Sequence, residues 1–106
     1  MKIENYNIVN VKFDTEKSEG RWVYFTMEVI VNNEYKFTCK SHRHFSPFYS
    51  EEVYGNINNY YQAAFEDWKQ FSEENIYMED EFEELILDEL DVDSFDDIDL
   101  DSYKIK

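Results

Sequence analysis

Apolar and polar residues alternate along most of the first forty positions, which is the period of strands with one buried face. The alternation divides into three runs, over residues 6–14, 21–31 and 34–40. Asn32 and Asn33 separate the second run from the third, and asparagine tolerates the positive φ angles of a tight hairpin turn. The pattern therefore predicts three consecutive antiparallel strands, with the longest run at the centre.

The same alternation predicts which side of the sheet is buried. In the first strand Val9, Val11 and Phe13 share one face, while polar residues occupy the other. The alternation stops after Lys40, and a proline interrupts residues 41–48, so we expect a loop there. The apolar face of the sheet needs a second layer to cover it.

Helical periodicity replaces the alternation after Pro47. Pro47 fits either a loop or the first position of a helix with Ser46 as its N-cap, and Gly55 moves the regular part of the first helix to about Asn56. It is predicted to end at residues 73–75. The apolar positions that we expect to face the sheet recur every three or four residues: Val53, Ile57, Tyr61, Ala64, Trp68 and Phe71.

A second helix is predicted over residues 78–90, where Phe82, Leu85 and Ile86 share one side and carboxylates fill the other. Beyond it the apolar residues sit between aspartates at spacings that fit a short helix turning into an extended end: Val92, Phe95, Ile98 and Leu100. The last five residues are expected to add an edge strand, with Tyr103 and Ile105 facing the sheet: SYKIK.

These elements predict an α+β fold, a three-stranded antiparallel sheet with a C-terminal edge strand, packed by two acidic helices. At 106 residues the chain is expected to form one domain. Its parts are a β-meander over residues 1–45, a helical part over 46–90 and an acidic C-terminal extension over 91–106. A single cysteine and the lack of an apolar run near 18 residues predict a soluble, cytoplasmic protein with no membrane partner.

Negative charge is concentrated in the last two fifths of the chain, whose net charge is −15 overall. Residues 1–65 carry seven basic and eight acidic side chains, whereas residues 66–106 carry three and seventeen. Thirteen carboxylates lie within residues 79–101, which contain no lysine, arginine or histidine. Because phosphates would be repelled, the charge argues against direct binding of nucleic acid.

Motifs for catalysis or metal binding are weak. Cys39, His42 and His44 are spaced like metal ligands. A zinc site, however, needs a fourth ligand or an open coordination position, and usually a clearer ligand motif. A buried cysteine at the end of a strand, followed by two histidines in a loop, is the simpler interpretation. A calcium loop starting at Asp91 fails because its fifth position is Phe95. The sequence has no phosphate-binding glycine loop and no nucleophile motif. We therefore expect neither an enzyme nor a bound cofactor or metal.

The acidic residues fit a surface that binds a positively charged partner. Carboxylates four apart on a helix repel each other by a few tenths of a kcal/mol per pair, so a cationic partner would stabilise the segment. Duplex DNA carries one charge per about 1.7 Å of its axis. A helix over residues 79–101 would carry one carboxylate per roughly 2.7 Å, and an extended chain one per roughly 6 Å. A folded, helical surface that occupies a basic nucleic-acid groove on another protein is the function that this density favours.

Three stretches occur in an order that resembles a known class of proteins. VNNEYKFTCKS is followed by NINNYYQAAFEDW and then YMEDEFEEL, within residues 31–85. This order of hairpin, aromatic helix and acidic segment resembles phage-encoded anti-CRISPR proteins, DNA mimics that inhibit type II effector nucleases. The resemblance implies a phage protein in the host cytoplasm that binds a CRISPR effector nuclease where arginines read the PAM.

The resemblance and the charge pattern give the same candidate residues for partner binding. Tyr77 and Phe82 are expected to add apolar anchoring at the centre of the interface. The carboxylates that would stand in for phosphates and base acceptors are Glu66, Asp67, Glu73, Glu74, Glu79, Asp80, Glu81, Glu83, Glu84, Asp88 and Glu89. Two other functions fit the same charge: an antitoxin or immunity protein that neutralises a cationic toxin, and an acidic accessory protein whose charge serves solubility.

The second face of the central strand raises the question of self-association. It carries Trp22, Tyr24 and Ile30, which are too apolar to face open solvent. Either the C-terminal segment or a second copy of the chain is expected to cover them. The second case would give a homodimer.

Overall fold

A three-stranded antiparallel sheet forms the base of the fold, in the spatial order β1, β2, β3. The computed structural model describes residues 1–75 and 78–105. The strands are β1 (Tyr6–Phe13), β2 (Trp22–Val31) and β3 (Tyr35–His44). The helices in this part of the chain are α1 (Glu51–Tyr54), α2 (Ile57–Asn75) and α3 (Met78–Leu90). The predicted α+β class, with its three-stranded antiparallel sheet, is confirmed.

The central strand β2 carries the core of the sheet, as its alternation predicts. Its inward-facing side chains are at most 2% exposed: Val23, Phe25, Met27, Val29 and Val31. The predicted hairpin turn is confirmed, because Asn32 and Asn33 both have φ of 55°. The Asn32 side chain also accepts hydrogen bonds from the backbone N–H groups of Glu4 (2.7 Å) and Asn5 (3.2 Å). These bonds hold the N-terminal residues against the hairpin.

Strand β1 contains a β-bulge that the alternation did not reveal. Asn10 and Val11 lie where β2 supplies only Met27, and Asn10 has φ of 53°. The extra residue reverses the phase of the strand. Val9 pairs with Glu28 on the outer face of the sheet, so the prediction that Val9 shares the buried face of Val11 is wrong.

Strand β3 runs to His44, so the predicted loop begins four residues too early. Ser41 pairs with Phe25, and Arg43 pairs with Val23. Directly opposed residues of antiparallel strands point to the same side of a sheet, which places Ser41 and Arg43 on the side that the helices cover. The alternation continues there with polar residues inward, and hydrophobicity alone therefore did not detect it.

The helical part also begins later than the sequence predicts. The segment around Pro47 is a loop, in which the Tyr60 hydroxyl donates a 2.7 Å hydrogen bond to the Pro47 carbonyl. Helix α2 is capped by Asn56, whose side chain accepts a 3.0 Å hydrogen bond from the backbone N–H of Asn59. Ser46 is therefore not the N-cap, while the expected start of the regular helix near Asn56 is confirmed.

The buried stripe of α2 is confirmed in its middle and is wrong at its ends. Tyr61, Ala64 and Trp68 are at most 8% exposed. Three other residues that we expected to face the sheet are largely exposed: Val53 (74%), Ile57 (39%) and Phe71 (43%). The buried stripe runs instead through Tyr60 and Phe65, which are 0% and 4% exposed.

The C-terminal segment folds back onto the sheet in two 3-10 turns, Phe95–Asp97 and Leu100–Tyr103. Phe95 is 3% exposed, and the Tyr103 ring stacks on Phe37 at 4.9 Å between centroids. The predicted edge strand is reduced to one bridge between Tyr35 and Lys104. Tyr103 faces the sheet as expected, but Ile105 is 46% exposed, and that part of the prediction is wrong.

Helix α3 ends in a Schellman motif built on a non-glycine residue. Asp91 has φ of 55°, and the backbone N–H groups of Asp91 and Val92 donate to the carbonyls of Asp88 (3.2 Å) and Leu87 (3.1 Å). A left-handed conformation favours glycine at this position, and a carboxylate at a helix C-terminus opposes the helix dipole.

We expect Asp91→Gly to raise the free energy of unfolding by about 0.5–1 kcal/mol, since it removes the steric and the charge penalty. Urea denaturation followed by circular dichroism measures the change. Asp93 has no positive φ, so Asp93→Gly should be neutral or destabilising. Equal effects of the two variants would contradict the expectation.

Helices α2 and α3 and the C-terminal segment all pack on the same face of the sheet. Two hydrophobic clusters follow one another along β2, one around Val23 and Tyr60 and the other around Val29, Phe82 and Phe95. The C-terminal segment therefore does not cover the second face of β2, where Trp22 is 45% exposed. Among the described residues, no helix has the length and hydropathy needed to cross a membrane.

A candidate acidic interface

Helix α3 presents opposite faces of very different chemistry. Met78, Phe82 and Ile86 recur every four residues and are at most 3% exposed against the sheet. The outward positions are exposed carboxylates at spacings of three and four: Asp80, Glu83, Glu84 and Asp88. Residues at these spacings are neighbours on a helix surface, about 5–6 Å apart. We call these four residues the acidic stripe.

The acidic stripe carries uncompensated charge. Within residues 1–75 and 78–105, its four carboxylates make no hydrogen bond or ion pair with another side chain. Glu89, on a different side of α3, lies 3.9 Å from the Lys40 ammonium. The packed side of α3 fixes the orientation of the stripe, so its negative charge is presented to solvent on a rigid element.

The carboxylates of α2 differ from the stripe because all four accept a hydrogen bond from another side chain. Asp67 accepts a 2.8 Å bond from the Arg43 guanidinium, which also lies 4.7 Å from the centroid of the Phe71 ring. Glu73 accepts a 3.0 Å hydrogen bond from the Tyr6 hydroxyl. Two further exposed carboxylates accept hydrogen bonds from glutamine side chains one turn earlier in the helix. Gln62 donates to Glu66 (2.9 Å), and Gln70 donates to Glu74 (3.1 Å).

These contacts change the order of importance among the predicted residues. Asp67 is half-buried in an internal ion pair, so it joins α2 to β3 rather than offering a free charge. Glu66, Glu73 and Glu74 remain exposed, and their partners are neutral side chains, so they extend the negative surface beyond the stripe.

The two expected apolar anchors do not form part of the interface. Phe82 is 0% exposed, and its ring lies 4.8 Å from that of Tyr6 and 6.4 Å from that of Trp68. The expectation that Phe82 anchors a partner is therefore corrected, because the ring is part of the hydrophobic core. Tyr77, the other expected anchor, lies outside the described residues.

Two clefts border the acidic stripe. One, of about 440 Å³, lies between α3 and the N-terminal segment, and is lined by Lys2, Ile3, Glu4, Glu79, Asp80 and Glu83. The other, of about 360 Å³, lies at the end of α3, and is lined by Leu87, Asp88, Asp91, Val92, Asp93 and Asp97. Carboxylates therefore continue on both sides of the stripe.

The second cleft contains acidic residues that the sequence did not place at the site. Asp91, Asp93 and Asp97 were expected to belong to an extension beyond α3. The burial of Phe95 turns this segment back beside the helix, and Ser94 caps its first turn by accepting from the backbone N–H of Asp96 (3.2 Å). The apolar residues between the aspartates were the signal for this turn.

Glu81 lies on the flank of α3, half-buried beside the stripe. Burial, and secondarily the neighbouring Glu84 carboxylate, raises the pKa of Glu81 above its ordinary value of 4.5. The Glu81 carboxyl therefore holds its proton more tightly in the folded protein than in the unfolded chain. The ionised Glu81 carboxylate lowers stability at neutral pH, and this cost disappears as the pH falls and the group is protonated.

We expect Glu81→Gln to stabilise the protein at pH 7 by a few tenths of a kcal/mol, because the neutral amide removes both the desolvation cost and the repulsion. The advantage should be lost as the pH falls through the raised pKa toward 4.5. Urea denaturation of the two proteins at pH 7 and at low pH measures it. An equal difference at both pH values would contradict the assigned cause.

The cysteine and histidines of β3 do not converge. Cys39 is 0% exposed on the helix-covered face, and its pKa is raised to about 12 by burial and by Glu89. His42 pairs with Tyr24 on the outer face and stacks on its ring at 5.2 Å. Residues 1–75 and 78–105 hold no group of three or more His, Cys, Asp or Glu side chains arranged to bind a metal ion.

The fold and the site together define a small α+β protein with a rigid acidic surface. No protein-family model, curated protein or solved structure matches this chain. The residues of the acidic stripe and their surroundings are therefore the basis on which a function can be inferred.

Proposed function

We propose that this protein is an inhibitor that mimics nucleic acid and occupies the basic nucleic-acid-binding site of another protein. The observation that supports the proposal is the acidic stripe, four exposed carboxylates without a described partner on a helix that the core holds in place. Such a surface complements a groove lined by arginine and lysine.

The charge density of α3 suits this role. The helix has 13 residues and is about 20 Å long, and its seven carboxylates follow one another at roughly 3 Å along the axis. Duplex DNA carries one charge per about 1.7 Å over both strands. The aspartates of the second cleft add charge beside the helix, which brings the surface closer to that density.

A cationic partner would also relieve repulsion within α3. The last turn of the helix has no basic residue, and acidic residues continue through Asp88 and Glu89 to its C-terminal end. Carboxylates at that end oppose the helix dipole. Arginines or lysines of the partner would neutralise them, so binding and helix stability favour each other.

The specific target in this proposal is a CRISPR effector nuclease. Residues 31–85 resemble phage-encoded anti-CRISPR proteins in the order of hairpin, aromatic helix and acidic segment. The PAM-reading site of such an effector presents arginines to base edges and phosphates. The stripe carboxylates would occupy the positions of those acceptors and thereby exclude the target DNA.

Competition for DNA tests the proposal. Purified protein is added to a guide-loaded type II effector, and binding of labelled PAM-containing duplex is measured by fluorescence anisotropy over a range of salt concentrations. We expect the protein to displace the duplex, with a potency that falls as salt rises because the interaction is electrostatic. If excess protein leaves the duplex bound at moderate salt, this form of the proposal is wrong.

A further inference from the structure

The end of the molecule opposite α3 carries exposed apolar side chains that the proposed function does not use. Phe48 is 71% exposed in the loop before α1, Val53 is 74% exposed on α1, and Ile57 is 39% exposed at the start of α2. We call these three residues the apolar end. Single exposed apolar residues are common, whereas several exposed together mark a surface for interaction.

Tyr60 contacts the chain neighbours of Phe48 and Val53 and lies one helical turn after Ile57. Its hydroxyl bonds the carbonyl of Pro47, next to Phe48, and its ring packs edge-on against Tyr54, next to Val53, at 5.1 Å. Ile57 lies one turn before Tyr60 on the same helix. Gly55, with φ of 83°, makes the sharp bend that folds α1 back onto α2. The three residues of the apolar end therefore all flank the contacts of one buried tyrosine.

We propose that the apolar end binds a second copy of this chain, giving a weak dimer. Tyr49, which is 37% exposed and lies 5.8 Å from the Tyr60 ring, borders the apolar end. With Tyr49 included, the exposed apolar area is on the order of 400 Å² per copy. With a polar rim the total would reach roughly 1,000 Å², the lower limit for a specific interface. An area at this lower limit fits a dimer whose population depends on protein concentration.

The distribution of charge limits the orientation in which two copies can meet. At a net charge of −15, two copies can meet only where their acidic surfaces stay apart. Helix α2 spans 19 residues, about 28 Å, between the apolar end and the residues that precede α3. Acidic surfaces in the dimer would lie roughly 50 Å apart, several times the screening length of about 8 Å at physiological salt.

The surroundings of the apolar end carry both signs of charge, and a two-fold interface would bring each sign opposite the other. The Arg21 guanidinium lies 4.4 Å from the centroid of the Phe48 ring, and Glu51 and Glu52 are exposed on α1 beside Val53. In a two-fold arrangement the arginine of each copy can approach the glutamates of the other. If the proposed function holds, such a dimer would present two acidic surfaces that point away from each other.

Sedimentation equilibrium tests the dimer, with the purified protein alone at concentrations from about 1 to 500 µM. We expect the mass to rise from one copy to two with concentration. The double variant Phe48→Ser with Val53→Ser should raise the dissociation constant at least tenfold, while Ile105→Ser, an exposed apolar residue (46%) outside the apolar end, should leave it unchanged. Circular dichroism verifies that each variant is folded.

The response to salt separates this proposal from the proposed function. Dimer formation should change little as salt rises, because apolar contacts hold the apolar end and the acidic surfaces already lie beyond the screening length, whereas displacement of DNA from a basic partner should weaken. Three results would each overturn the proposed dimer. The protein could stay monomeric up to 500 µM, the double variant could dimerise as tightly as the natural protein, or Ile105→Ser could raise the dissociation constant as much as the double variant does. None of these results depends on whether a nuclease is bound.

Discussion

Replacing all four residues of the acidic stripe by amides, as Asp80→Asn, Glu83→Gln, Glu84→Gln and Asp88→Asn, is expected to weaken displacement of DNA at least 100-fold. Each carboxylate is expected to contact a partner cation, and truncating a charge contact typically costs 1 kcal/mol or more, with about 1.4 kcal/mol giving each factor of ten. The dependence of the remaining potency on salt should also become shallower, because fewer charges are neutralised.

The same quadruple variant should be more stable than the natural protein. It removes repulsion between carboxylates three and four residues apart, which is a few tenths of a kcal/mol for each pair. Loss of binding together with a gain in stability cannot result from unfolding. Urea denaturation beside the competition assay measures both effects on the same preparations.

A matched variant separates the stripe from the net charge. Glu16, Glu19, Glu34 and Asp101 are exposed and lie outside both the acidic interface and the apolar end. Their replacement by the corresponding amides gives the same net charge as the stripe variant but should change potency only several-fold, through long-range attraction. If the two quadruple variants weaken displacement equally, the stripe is not the binding site and only the overall charge matters.

Phe82→Ala is expected to lower the free energy of unfolding by about 3–5 kcal/mol, the usual cost of emptying a buried phenylalanine site. The ring is 0% exposed and packs between Tyr6 and Trp68, so its removal leaves a cavity where α3 meets the sheet. A loss of this size is a large share of the 5–15 kcal/mol that typically stabilises a domain.

Two further variants keep the test of Phe82 decisive. Phe82→Leu retains most of the apolar volume and should stay folded with a smaller loss of stability. Phe48→Ala, at a ring that is 71% exposed, should change stability by less than about 0.5 kcal/mol. If Phe82→Ala left stability unchanged and weakened partner binding, the ring would be the anchor that the sequence first suggested.

The strands and helices that could be predicted from sequence are those in which one face is apolar throughout. Strand β2 and helix α3 follow their periodicity because each buries a continuous apolar stripe. The predictions failed where a local feature intervened, at the bulge of Asn10 and at Ser41 and Arg43, polar residues on the helix-covered side of the sheet. Periodicity cannot detect a bulge or an inward polar residue, because both depend on the neighbouring strand or helix.

The candidate site was predictable in composition but not in arrangement. The sequence placed the carboxylates on α3, yet it could not separate Asp67, which is paired with Arg43, from Asp80, which has no described partner. That distinction depends on a contact between residues 24 positions apart. It likewise assigned Phe82 to the interface, although the same ring completes the apolar stripe of α3.

By itself the sequence determined the α+β class, the central strand and the concentration of negative charge in the last two fifths of the chain. These properties follow from local period and composition, which do not depend on distant contacts. Only the tertiary structure decided which carboxylates have no described partner, that residues 91–105 return to the side of α3, and that Phe48, Val53 and Ile57 are exposed around Tyr60. The first two depend on packing between segments far apart in the chain, such as the burial of Phe95 against the sheet. The third depends on the contacts that the buried Tyr60 makes with Pro47 and Tyr54, which periodicity does not reveal.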